Sequence, residues 1–167
     1  MEHSQEKYNP LHNQHISGLG GWLILAQISL WSTVVSFVIN IFFNILPIFR
    51  TDQWNNLTDP TSMSYNKMWP IVIPYELIGS SLLLGALIYA FVLFYRKKRQ
   101  LPKWLKYYYL AYGVYTLVDF FLVRAIPEIQ DVGVTNPLVT LIRTLVICAI
   151  WISYYGISVR VRNTFIK

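Results

Sequence analysis

The sequence predicts an all-α fold, an integral membrane protein with four transmembrane helices in an antiparallel bundle. Three observations carry this expectation. Four stretches are almost purely apolar, each reaching the roughly 20 helical residues needed to cross a hydrocarbon core. Charged residues make up 13% of the chain and hydrophobic ones 54%, whereas a soluble domain averages about 25% charged. Lysine and arginine also collect in alternate connections between the apolar stretches, as topology demands of a polytopic protein. A β-barrel would show alternating strands of about ten residues, and the sequence has no such pattern.

Residues 1–17 read as a polar leader, with residues 18–167 as a single transmembrane domain. The leader holds His3, His12 and His15, too few ligands for a metal site, which takes three or four. Its polar, partly acidic opening precedes an apolar run too long for a signal-peptide core, so the first helix is expected to be retained. That helix spans about 20–48 and is expected to stop or kink near Pro47. A polar loop with Trp54, Tyr65 and Trp69 follows, then a second helix over about 70–95. The link "RKKRQLPKWLK" is basic and broken by Pro102, and it leads into a third helix over about 103–126. A short loop beginning at Pro127 turns the chain into a fourth helix over about 137–158, and a basic tail closes it.

Ten lysines and arginines fall in the leader, the basic link and the tail, against two in the first and third loops. Positive charge stays on the cytoplasmic side. Both termini are therefore expected in the cytoplasm. The net charge of +6 reflects this topology and makes anionic lipid headgroups the natural partner, with no role for nucleic acid. Cys148, alone of its kind, provides no disulfide framework and reads as a packing residue.

Histidine is absent from all four apolar stretches, and no zinc-protease, phosphate-loop, nucleophile-elbow or dinucleotide motif occurs. The chain is expected to have no catalytic residues, no metal and no cofactor. Polar residues instead form lines at helical spacing: Ser29, Thr33, Ser36, Asn40 and Asn44 in the first helix; Tyr108, Tyr112, Tyr115 and Asp119 in the third; Thr140, Arg143 and Tyr154 in the fourth. In the second helix Glu76 shares its face with the small residue Gly79. Lipid disfavours such faces, so all four should point inward.

A rise of 1.5 Å per residue places Glu76 and Arg143 roughly 9 Å below the outer interface, Asp119 roughly 10 Å below it and Arg124 only about 3 Å. Asn40 and Asn44 fall in the same outer half. Asp119 and Arg124 lie about 140° apart on their helix and so do not pair; Arg124 is expected at the outer interface, snorkelling to water. The expected buried layer comprises Glu76, Asp119, Arg143, Asn40 and Asn44, with Arg143 as partner to Asp119. The expected role is non-catalytic: a structural, accessory or regulatory protein in which Arg143 locks the helices together. The alternative is a small proton- or cation-coupled transporter or channel using the layer of Glu76, Asp119 and Arg143.

"GLGGWLIL" (Gly18–Leu25), "YELIGSSLLL" around Glu76 and the closing "IWISYYGISVRVRNTF" resemble the bacterial membrane-protein family catalogued as domain of unknown function 2569 (DUF2569). Where that pattern has a proline after Ile-Trp-Ile this chain has Ser153, a departure that would straighten the fourth helix. The resemblance implies four helices in the bacterial inner membrane and no assigned activity. The tail residues Arg160, Arg162, Asn163, Thr164 and Phe165 read either as a positive-inside anchor or as a docking segment for a membrane or cytoplasmic protein. Self-association stays open.

Overall fold

The computed structural model describes residues 20–126 and 136–166. The leader with its three histidines, the connection 127–135 and Lys167 lie outside the described residues. Those described are helical, with no strand among them. Helix α1 covers Trp22–Ile39 and passes through a π-helical turn, Asn40–Ile45, into α2, Leu46–Arg50. A short α3 (Gln53–Thr58) lies in the loop. The long helices α4 (Trp69–Tyr95), α5 (Leu101–Arg124) and α6 (Pro137–Ile157) follow, and α7 (Val159–Thr164) ends the chain.

The first helix does not stop at Pro47. A proline inside an α-helix clashes with the carbonyl four residues back. Here the wider π turn comes just before it, with the Leu46 N–H donating to the Ile41 carbonyl, and the rod continues to Arg50. The three later long helices each begin with a proline in the first turn, where a missing N–H costs nothing. Asn136 caps α6, its side chain accepting from the Leu138 N–H at 3.0 Å. Helix α6 runs through Ser153 without interruption.

The extended seams join α1 to α4, α4 to α5, and α5 to α6. All three are antiparallel. Trp31 packs against Phe91 with 4.6 Å between tilted ring centroids while Gln27 donates to Tyr95 Oη at 2.7 Å; Tyr109 meets Tyr155 while Gly113 faces Cys148. The core runs from Leu23, Ala26 and Leu30 through Leu87 and Ala90 to Leu101 and Leu105, all fully buried.

Three rods combine the length and apolarity that crossing a membrane requires: Trp22–Arg50, Trp69–Tyr95 and Pro137–Ile157. The sequence leads one to expect four. Helix α5 has 24 residues, about 36 Å, so length is sufficient. Its mean hydropathy is lowered by Lys103, Lys106, Asp119 and Arg124 and by five tyrosines between Tyr107 and Tyr115.

Candidate functional site: an acidic cavity between the long helices

Toward the end of the bundle where α4 starts and α5 finishes, the long helices border an open cavity of about 280 Å³. Helix α1 and its π turn present Thr33, Ser36 and Asn40 to it. Helix α4 contributes Glu76 and Ser80, one turn apart. Tyr112, Tyr115, Thr116 and Asp119 come from α5, and Thr140 and Thr144 from α6. Polar residues from all four long rods thus meet at one space, although each predicted line reaches it only in part.

Its wall is rich in acceptor oxygens. Thr33 and Thr116 donate their hydroxyl protons to the carbonyls of Ser29 (2.8 Å) and Tyr112 (2.9 Å) on their own helices. That leaves their oxygen lone pairs for the cavity. Tyr75 donates to the Tyr115 carbonyl at 2.9 Å and stacks on the Tyr115 ring, while the Tyr115 hydroxyl lies 3.3 Å from Ser80 Oγ. Asp119 Oδ1 is buried without a hydrogen-bond partner. Two carboxylates line the cavity and no lysine or arginine does.

Arg143 does not join the buried layer. It is exposed on the outside of α6, and among the described residues it makes no ion pair with Asp119. The reason is angular: Thr140 and Thr144 are one turn apart and line the cavity, so Arg143 stands about 100° round from Thr144. Asn44 is also exposed, its amide donating to Asn40 Oδ1 at 3.2 Å. Arg124 is exposed at the end of α5, with its guanidinium 5.9 Å from the centre of the Phe120 ring. Ser80, Thr116 and Thr144 escaped the reading of the sequence, although Ser80 lies four residues after Glu76 and Thr116 three before Asp119. Among the described residues no group of three metal-ligating side chains occurs.

Below the cavity the tyrosine rings continue toward the opposite end. Tyr112 stacks near Tyr108, which abuts Tyr109, and Tyr109 stacks near Tyr155. The hydroxyls of Tyr108, Tyr154 and Tyr155 are buried without partners.

At that opposite end the two termini of the described chain meet. Gly21 has φ +61°, and a Cβ there would sit 3.0 Å from Arg160 Nη1; one on Gly20 would sit 3.1 Å from the same atom. The Gly-Gly pair of the opening motif therefore forms the seat for an arginine of the closing motif. Ser158 breaks α6 and caps α7, its Oγ accepting from Val161 N–H. Val161, Thr164 and Phe165 form the buried face of α7, and Phe165 lies 5.5 Å from the Phe94 ring. The tail is packed at helical spacing, and Val159 is exposed. Thr164 and Phe165 are thus covered by the chain itself; Arg162 stays exposed, and Arg160 and Asn163 are half-buried.

The two motifs that meet here fall within a match to the family model described as protein of unknown function (DUF2569), which spans residues 16–166. The chain belongs to this family. No curated protein and no solved structure gives a significant match. For this DUF2569 member the contact between Gly21 and Arg160 yields a direct expectation. Gly21→Ala should destabilise the protein by about 1–3 kcal/mol, because φ +61° with ψ −135° is a backbone conformation that side-chain-bearing residues rarely adopt. An unchanged melting temperature in detergent would contradict it.

Proposed function

We propose that this protein is a bacterial inner-membrane protein with four spans and cytoplasmic ends. It takes up a proton or small cation in the cavity shared by Glu76 and Asp119, as a small coupled transporter or channel without covalent chemistry. The observation that carries this reading is a cavity bounded by two carboxylates and several acceptor oxygens with no cationic side chain in its wall. Ionisable residues at membrane depth are costly and mark ion or proton pathways. A fourth span is supported by the position of α5, which packs antiparallel between two apolar rods and turns Tyr112, Tyr115 and Asp119 to the cavity. The orientation rests on the ten-to-two bias of basic residues.

A second reading, an accessory or regulatory subunit acting through contacts, draws on the tight core below the cavity. Leu30, Leu87 and Leu105 are fully buried there and leave the cavity blind at that end. Arg143, exposed on α6, supplies no lock to it.

Flux measurements separate the two. Purified protein is reconstituted in vesicles holding a pH-sensitive dye, and a potassium diffusion potential is imposed, with sodium and potassium gradients tested in parallel. Transport through the cavity predicts flux above that of protein-free vesicles, returning to their rate in both Glu76→Gln and Asp119→Asn. Flux indistinguishable from empty vesicles for all three ions would sink the transport reading and leave the accessory one.

A further inference from the structure

The other end of the bundle holds a larger and chemically opposite feature, a cleft of about 930 Å³. Six basic side chains converge on it: Arg96, Lys98 and Arg99 from the turn after α4, Lys103 and Lys106 from the start of α5, and Arg162 from α7. No aspartate or glutamate lines it. Positive charge at a membrane surface is ordinary for topology, but topology alone does not require concavity or convergence.

The cleft is built. Helix α4 ends in a Schellman motif, with Lys97 N–H donating to the Phe94 carbonyl at 3.1 Å and Lys98 N–H to the Leu93 carbonyl at 3.0 Å. Lys97 has φ 50°, where glycine is the usual residue. This turn sets the three neighbouring cations along one wall. On the facing wall Lys106 lies over Gly156, its Nζ 3.4 Å from where a Cβ would stand. Helix α7 closes the side, pinned by Phe165 on Phe94, and carries Arg162 into the lining. Buried Tyr155 and Phe165 supply an aromatic floor. Six like charges gathered in one concavity repel one another, and a bound anion relieves that repulsion.

We infer that this cleft is a binding site for a phosphate-bearing anion, the headgroup of an anionic phospholipid or a soluble phosphate compound. Phosphate oxygens suit both the fork of arginine and the point charge of lysine. Tyr89 and Val92, in the wall of the cleft, are exposed on α4, so an apolar surface leads away from the cations, as an acyl chain would need. Basic pockets between membrane helices commonly hold lipid headgroups. The site is independent of the acidic cavity.

The test uses the full chain purified in detergent, with phosphatidylglycerol titrated and adducts read by native mass spectrometry. Lys106→Gln/Arg162→Gln is compared with Arg50→Gln/Lys67→Gln, which removes the same charge outside the cleft. The expected result is affinity roughly 10- to 30-fold weaker in the first pair and near wild type in the second. Adducts that survive excess inorganic phosphate and glycerol phosphate assign the site to a lipid headgroup. Displacement by either solute, lost in the first pair, supports the same phosphate chemistry with a soluble source. Wild-type phosphatidylglycerol and phosphate binding in Lys106→Gln/Arg162→Gln, or equal losses in both pairs, would overturn the inference.

Discussion

Replacing Gly79 with valine is expected to lower the stability of the bundle by at least about 1–3 kcal/mol, the usual cost of overpacking a filled site. The Tyr115 ring occupies the space that a Cβ on Gly79 would take. That ring cannot easily move. Tyr75 stacks on it at 5.2 Å, the Tyr75 hydroxyl holds the Tyr115 carbonyl, and Ser80 faces its hydroxyl. Replacing glycine in a helix normally gains up to about 1 kcal/mol in backbone entropy, which is too little to offset the clash. Gly85 is the matched control: nothing lies within 4 Å of a Cβ placed there, so Gly85→Ala should be neutral or mildly stabilising. Apparent melting temperature in detergent reads both. Trimming the ring should rescue the first variant, so Gly79→Val/Tyr115→Leu should melt above Gly79→Val. Equal melting of Gly79→Val and wild type would mean that α4 and α5 do not approach this closely.

The second large effect is expected at the tail. Phe165 is 2% exposed against a fully buried Phe94, and removing a buried phenylalanine side chain costs about 3–5 kcal/mol in a well-packed core. Helix α7 has only six residues, too few to hold itself together, so this loss should release it locally before the bundle melts. Phe165→Ala should therefore speed trypsin cleavage after Arg160 and Arg162, with a smaller change in overall melting. Val159→Ala, at an exposed position of the same helix, should leave cleavage unchanged. Equal protease resistance in Phe165→Ala and wild type would show that the tail is not held by this contact.

Much of the helical framework was legible from local signals. Prolines at the starts of α4, α5 and α6, the asparagine before α6 and the long apolar runs are all properties of short stretches. The same holds for polar periodicity: a line such as Thr33, Ser36 and Asn40 needs only the helical angle. Near Pro47, where a stop or kink is expected, the helix does not stop, because a π turn just before the proline absorbs the clash that a regular helix cannot. Helix α5 shows the limit of reading composition. Its tyrosines and charges lower hydropathy, although several of them face a cavity inside the bundle.

Arg143 marks the boundary most clearly. Its depth followed from rise per residue, but its direction depended on how α6 is rotated against α5, which no sequence within α6 specifies. That rotation follows from packing between helices, including the approach of Leu145 and Cys148 to Gly113. It turns Thr140 and Thr144 to the cavity and Arg143 away from it, leaving two carboxylates without the expected arginine. The tail repeats the lesson, since its basic and aromatic residues were visible but its fold-back onto Phe94, and the cleft this creates, were not. The positions of the long helices and the charge of each end are legible in the sequence, because these arise within a few turns of one chain segment. The tertiary structure alone decided which polar faces meet and what they enclose, because helix rotation is set by contacts between residues far apart in sequence.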